Sequence, residues 1–381
     1  MSNPSNADRS AGFDLPGVCS PRAPLANLKP YSGSFPAGKT IMAANESPYN
    51  LSEGLRDKIA RAVRGFDFNR YPDPLATDLR AQIADNYQLK PEQVLLGNGG
   101  DELLLDMMIA WGGKGRSILQ FMPTFTMYGI YAQTFETAVI SLLRDPQTYA
   151  IDIDLALETL RAQQPSICLL CNPNNPSGQV TPVADICRLI EASDALFVVD
   201  EAYAEFSGTS MLPYLDRYPN LVILRTFSKA YSLAGLRLGY LMASPAIIEM
   251  IARVRMPYSV NSFSQMVGSL LLDNKEEFDQ ACADIMRERD WLYDVLQDMA
   301  GVKVWPSSAN YLLFQVEKAA EVWERLLYVH DICIRHFKDA PGLDNCLRVT
   351  VGTSQENIAF TAALRESIAY VNLPDDFFCG S

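Results

Sequence analysis

Thr226, Ser228, Lys229 and Arg237 set two hydroxyls, an amine and a guanidinium in one short stretch, directly after the apolar run 221–225. Hydroxyls and guanidinium are phosphate-binding types, and an arginine fork can grip two phosphate oxygens at once. The amine beside them can attack a carbonyl carbon and hold it covalently. The spacing of eight residues from Lys229 to Arg237 lets both side chains reach one ligand. A lone lysine after a strand is ordinarily a solvated charge. Lys229 differs because other polar groups stand at the ends of neighbouring apolar runs.

Three such groups matter. Gly97-Asn98-Gly99-Gly100-Asp101-Glu102 follows the run 94–97. Its glycines let backbone N–H groups approach an anion, and a helix opening there adds a favourable dipole. It has neither the dinucleotide glycine fingerprint nor the Lys-Ser/Thr of a nucleotide loop, so an ordinary turn capped by Asp101 fits it equally well. Asn172-Pro173-Asn174-Asn175-Pro176-Ser177-Gly178 follows the run 166–171, and Asn175 can donate its amide to an oxygen in a cleft. Val198-Val199-Asp200-Glu201-Ala202-Tyr203 ends an apolar run in a carboxylate, either a solvated strand end or the partner of a cation.

Stepping from these positions to what must hold them, short and almost uniformly apolar segments occur at 94–97, 117–121, 138–142, 166–171, 196–199, 221–225 and 238–242. Stretches of helical period lie between several of them, for example 155–163 and 183–192. Buried short strands separated by helices predict an α/β fold whose mostly parallel sheet is covered on both faces. In such sheets ligands collect beyond the carboxyl ends of the strands. Helical patterns follow at 245–253 and from 276 to about 298. The segments 311–316, 319–328, 347–351 and 355–370 then read strand, helix, strand, helix, a small α+β lobe. The expected organisation is an arm at 1–25, a segment at 26–49 associated with the small lobe and the site, a large domain at 50–285 and a small one at 286–381.

Composition narrows the partners. The 381 residues are 48% hydrophobic and 20% charged, an ordinary globular balance, and 45 acidic against 32 basic residues give a net charge of -13. Such a surface repels phosphate backbones and anionic lipid, so neither nucleic acid nor membrane is an expected partner, while a local basic pocket can still take a small anion. No apolar stretch is long enough to span a bilayer, and the polar N-terminus lacks the apolar core of a signal peptide. The eight cysteines show no disulfide rhythm. Cys168 and Cys171 sit inside an apolar run with no second pair to complete a zinc site, and this usage suits a reducing cytoplasm. With only two histidines, His330 and His336, a His-based triad or multi-His metal site is hard to build, and no metal is expected. His336 reads as surface-exposed.

The whole set of motifs resembles the fold-type I, aspartate aminotransferase-like enzymes that use pyridoxal 5'-phosphate, and is similar in particular to the histidinol-phosphate aminotransferases. Asn45-Glu46-x-Pro48, Asn69-Arg70-Tyr71-Pro72-Asp73, Gly97-Asn98-Gly99-x-Asp101-Glu102, Pro123-Thr124-Phe125-x-x-Tyr128, Asn174-Asn175-Pro176, Asp200-Glu201-Ala202-Tyr203, Ser228-Lys229 and Arg348-Val349-Thr350-Val351-Gly352-Thr353 follow that family's order over about residues 28 to 365. The resemblance implies that Lys229 is the Schiff-base lysine, whose freed amine also moves a proton. It implies that Asp200 keeps the pyridine nitrogen protonated, and that Asn175 and Tyr203 donate to the ring's phenolic oxygen. Phe125 would stack on the ring. The phosphate would lie among the backbone N–H groups of Gly99, Gly100 and Asp101, the hydroxyls of Thr226 and Ser228, and Arg237. Tyr71 would reach it from the other subunit of a homodimer.

By the same resemblance Arg348 binds substrate carboxylate or phosphate, with Arg335, Asn310, Tyr31 and Asn45 in the same pocket. Phe125 where Tyr is more usual, Ser177 where Thr is, and Gly100 where Ser or Ala is are departures that leave the core chemistry intact. The implied reaction is amino transfer between L-histidinol phosphate and 2-oxoglutarate. Two rivals are an aromatic amino-acid aminotransferase and a related decarboxylase such as the threonine-phosphate decarboxylases. A non-enzymatic effector domain of a transcription regulator fits poorly, because the chain has no room for an added DNA-binding module and carries an acidic charge.

Overall fold

The computed structural model describes residues 39–373 together with Arg22 and Leu25. The expected arm at 1–25 lies almost wholly outside the described residues, as does Tyr31.

After a first short strand, β1 (Thr40–Met42), strands β2 (Val94–Gly97), β3 (Ser117–Met122), β4 (Ala138–Leu143), β5 (Ile167–Cys171), β6 (Leu196–Asp200), β7 (Leu221–Thr226) and β8 (Gly239–Ala243) build one sheet. Its order is β2-β8-β7-β6-β5-β3-β4. All strands run one way except β8, which is antiparallel to both neighbours. The near-uniform apolarity of these strands has a simple cause: both faces are covered in all but the edge strand β4. Alternate side chains enter different cores, Val199 and Ile223 on one face, Val198 and Val222 on the other. Covering helices are amphipathic; Val183–Glu191 buries Ile186, Leu189 and Ile190. Helix Ile153–Gln163 starts where Asp152 accepts from the Leu155 N–H, an N-cap of the usual kind.

The second sheet contains β9 (Val302–Val304), β10 (Tyr311–Val316), β11 (Ile332–His336) and β12 (Cys346–Thr350), in the order β1-β11-β12-β10-β9. β1 lies parallel to β11 and the remaining pairs are antiparallel. Helices Ala319–Tyr328 and Ser354–Val371 cover it with Leu326, Phe360 and Leu364. The sequence reading anticipated only β10 and β12 here. Three-residue β1 and β9 are too short to show a period, and β11 carries Arg335 and His336 at its end. Helix Glu276–Gln297 packs Phe278, Cys282 and Ile285 into the core of the large sheet, and Leu292 and Leu296 into that of the small one.

His336, expected at the surface, is half-buried with its ring 5.7 Å from that of Trp323, and burial lowers its pKa. Cys168 and Cys171 are buried in β5, as a free thiol acting as a small hydrophobe should be.

Candidate active site

The strand directions bring the polar motifs to one edge. The carboxyl ends of β2, β5, β6 and β7 meet there, and antiparallel β8 begins at the same edge, with Gly239 opposite both Gly97 and Thr226. Backbone packs directly on backbone at this point. A Cβ on Gly239 would come within 2.6 Å of the Gly100 nitrogen, so only glycine fits. Helix Gly100–Trp111 starts here with its first N–H groups at the edge. Gly99, at φ +84°, faces the Arg237 guanidinium so closely that a Cβ would lie 2.7 Å from it.

Around this cup the Thr226 hydroxyl accepts from the Ser228 N–H at 3.0 Å and lies 3.0 Å from the Ser228 hydroxyl; both side chains are buried. Arg237 donates to Asp101 at 3.0 Å. The sequence reading gave Asp101 a role through its N–H; its carboxylate in addition neutralises and orients the arginine. Two hydroxyls, helix N–H groups and a guanidinium in one concavity are the donor set a phosphate requires.

One turn beyond β7, Lys229 is half-buried and its ammonium donates to the Ala44 carbonyl at 2.9 Å. Burial pushes the amine down to about 8, and the nearby Arg348 guanidinium adds to the shift. Asp200 ends β6, only 5% exposed. Its Oδ2 accepts from the Tyr128 hydroxyl at 2.6 Å and its Oδ1 from the Ala202 N–H at 3.1 Å. Burial raises this carboxyl to about 6, against the opposing pull of the Tyr128 bond. A buried carboxylate with no cation beside it is costly, and a protonated ring nitrogen would relieve that cost. The sequence motif containing Tyr128 does not by itself assign it a role. Its signal was the three-residue spacing from Phe125, which puts both on one side of a helical turn. Phe125 is half-buried and meets Tyr128 edge-on with ring centres 5.5 Å apart.

The small sheet supplies the other wall. Arg348 on β12 donates to Asn175 Oδ1 and to the Ala43 carbonyl, and lies 5.1 Å from the Tyr311 ring centre. With its oxygen turned to Arg348, Asn175 presents its NH2 end as a donor on the other side. Arg335 is directly opposite Arg348 in the β11–β12 register, so both side chains leave the same face, and both guanidiniums stand beside the Phe337 ring at 5.9 and 5.7 Å. Asn45 and Asn310 were expected against substrate. Both are fully buried: Asn45 donates to the Tyr203 hydroxyl at 2.9 Å, and Asn310 donates to the Asn45 carbonyl at 3.0 Å. Tyr71 stands apart from these groups, 83% exposed and stacked on Tyr258.

Residues 37–363 match the family model described as aminotransferase class I and II. The chain belongs to that family. The aminotransferase is 42% identical to histidinol-phosphate aminotransferase 1 of Carboxydothermus hydrogenoformans, over 87% of this chain and 94% of that one. It is 37% identical to the histidinol-phosphate aminotransferase of Caldanaerobacter subterraneus, over 91% and 98%. In fold the aminotransferase is similar to the crystal structure of histidinol-phosphate aminotransferase from Sinorhizobium meliloti in complex with pyridoxal-5'-phosphate, at a TM-score of 0.80 and 24% identity over 87% and 91% of the two chains.

Proposed function

We propose that this aminotransferase uses pyridoxal 5'-phosphate to move an amino group between L-histidinol phosphate and 2-oxoglutarate. The observation that carries the substrate reading is the cross-strand pair Arg335–Arg348. Like charges placed opposite each other destabilise a sheet unless an anion joins them. A phosphate ester and a five-carbon dicarboxylate are the two kinds of ligand that use such a pair. The relatives named above, similar over nearly their whole length, support the same choice.

The donor set fits the cofactor. Gly99, Gly100, Asp101, Thr226, Ser228 and Arg237 would hold its phosphate, Asp200 its ring nitrogen, Asn175 and Tyr203 its phenolic oxygen, and Phe125 its face. When bound, pyridoxal phosphate supplies a covalent anchor for amines and a cationic ring that withdraws electrons from the carbon bearing the amino group. The residues do the rest. Asp200, anionic once it faces a cation, keeps the proton on the ring nitrogen. Lys229, with its pKa lowered to about 8, takes the proton from the substrate α-carbon and returns it. Arg348 orients the substrate so that its Cα–H bond points at that amine.

We further read the active protein as a homodimer of the cytoplasm, divided at 1–25, 26–49, 50–285 and 286–381. Exposed Phe68, Tyr71, Met256 and Tyr258 support the dimer. No helix among the described residues is long and apolar enough to cross a membrane, and the described cysteines form no disulfide. The reaction is tested by adding glutamate to the holoenzyme and following the cofactor's visible absorption band. Bleaching is expected. A band untouched by glutamate but removed by another donor would refute the glutamate coupling. Faster turnover of phenylalanine or tyrosine than of histidinol phosphate would favour an aromatic aminotransferase, and release of carbon dioxide a decarboxylase.

A further inference from the structure

Three groups from three parts of the chain form a hydrogen-bonded chain whose direction is fixed. Thr350, the last residue of β12, accepts the Asn45 backbone N–H at 2.9 Å. Its hydroxyl proton goes to Asn45 Oδ1 at 3.3 Å. The Asn45 amide therefore has its oxygen occupied and must present Nδ2 on the other side, where it donates to the Tyr203 hydroxyl at 2.9 Å. Asn45 sits in the left-handed region at φ 55°, and its carbonyl is held by Asn310, so the backbone cannot turn the amide elsewhere. Tyr203 can accept from Asn45 only through an oxygen lone pair, and its own proton has to leave on another side. Arg348, Cys171, Asp200 and Tyr311 are charged or titratable groups that face it. Among hydroxyls in a chain, each donor polarises the next, so a phenol that accepts a bond becomes a better donor.

We propose that Thr350 and Asn45 are positioning residues: a one-way relay that commits Tyr203 to donating into the cleft, to the cofactor's phenolic oxygen. This rests on the pyridoxal phosphate reading given above. The relay joins the small sheet through Thr350 to the loop after β6 through Tyr203. A displacement of the small sheet is thereby transmitted to the electronics of the cofactor without contact between substrate and Tyr203. Neither residue touches reacting atoms in this account.

The test is a pH titration of the visible band in the holoenzyme. A donor to the phenolic oxygen favours the deprotonated chromophore, so losing it raises the midpoint. Asn45→Leu leaves Tyr203 in place but removes the bond that commits its proton to the cleft, and is expected to raise the midpoint by up to about one pH unit, the worth of one hydrogen bond. Thr350→Val, nearly isosteric, removes only the steering hydroxyl and should raise it by a smaller amount. Thr350→Ser should titrate as the wild type does. If Asn45→Leu does not hold the cofactor, the Thr350→Val against Thr350→Ser comparison decides alone. Unchanged midpoints in Thr350→Val and in any Asn45→Leu that binds cofactor overturn the relay while leaving the cofactor reading intact. A wild-type protein that gains no titrating band with pyridoxal phosphate overturns that reading and the relay with it.

Discussion

The Tyr128 hydroxyl donates to the Asp200 carboxylate at 2.6 Å, and both groups are buried at the end of β6. Tyr128 is fully enclosed, so the bond cannot be exchanged for water without opening the helix Met127–Thr134. The bonds from Tyr128 and from the Ala202 N–H do not offset the burial of a carboxylate, which is why Asp200 stays raised at about 6.

A raised carboxyl binds its proton more tightly in the folded than in the unfolded chain. Stability of the cofactor-free protein therefore falls as pH rises between the unfolded value near 4 and about 6, and the loss is complete above that window. Roughly two pKa units correspond to about 3 kcal/mol at most. Asp200→Asn keeps an acceptor for Tyr128 and removes the charge. It should stabilise the cofactor-free protein at pH 8 by up to that amount and hardly at all near pH 4, while transamination collapses. Urea unfolding at the two pH values checks this; equal stabilities at pH 8 would show that Asp200 carries no such cost.

Lys229 and the Ala44 carbonyl give a second measurable consequence. An amine lowered to about 8 has a substantial neutral fraction at neutral pH, whereas an ordinary lysine has almost none. Acylation of the cofactor-free protein should thus mark Lys229 first, with a rate that rises through a midpoint near pH 8. Burial is the main cause and the Arg348 charge the second, so Arg348→Met should move the midpoint upward. Mapping the acylated peptide against pH reads both; a midpoint near that of a surface lysine in the wild type would refute the assignment.

Much of this site was legible before any coordinates because its parts are local. Lys229, Thr226, Ser228 and Arg237 share one turn, and the glycines of 97–100 announce a close backbone approach. The strands of the large sheet other than the edge strand β4 carry apolar runs because both faces are buried. What stayed hidden depends on pairing between distant segments. The carbonyls of Ala43 and Ala44, which hold Arg348 and Lys229, have no side-chain signature at all. The resemblance places Asn45 near substrate; its partners Tyr203, Asn310 and Thr350 lie at least 158 positions away and have no local signal. Arg225, Glu201 and Glu205 carry no pairing signal in the sequence and form a largely buried cluster.

In that cluster Arg225 donates to Glu201 at 2.8 and 3.1 Å, to Glu205 at 3.2 Å and to the Tyr87 hydroxyl at 3.1 Å. Glu201 follows Asp200, and Arg225 precedes Thr226, so the pair ties the ends of β6 and β7 that carry cofactor groups. Arg225→Met strands two carboxylates in the core and should cost about 3–5 kcal/mol of stability. Glu201→Gln keeps one acceptor oxygen for the Met211 N–H and leaves Glu205 paired with Arg225, so it should cost distinctly less. Chemical denaturation of both variants tests the order; similar losses would mean that charge pairing is not what holds the two strand ends.

Arg335 and Arg348 make a specificity prediction. Arg348 is buried and held by Asn175 and the Ala43 carbonyl, while Arg335 is exposed on the neighbouring strand. Arg335→Ala should raise KM for histidinol phosphate and for 2-oxoglutarate by roughly tenfold or more, as expected for loss of a charge-assisted contact, and leave kcat little changed. Amino donors with a single anionic group should be affected far less. Equal effects on both classes of donor, measured as kcat/KM, would remove Arg335 from the substrate pocket.

Tyr71 tests whether active sites are shared. It is 83% exposed and stacks on Tyr258 at 4.7 Å. A tyrosine reaching the phosphate cup of a partner must leave its own subunit in this way. Lys229→Ala and Tyr71→Ala proteins should each be nearly inactive. Mixed after dissociation and reassembly, they should regain activity, because half of the mixed dimers' sites combine an intact Lys229 from one chain with an intact Tyr71 from the other. The recovered activity should follow the fraction of mixed dimers, which differently tagged subunits can report. If the mixture stays as inactive as its components while mixed dimers form, Tyr71 does not serve the neighbouring site.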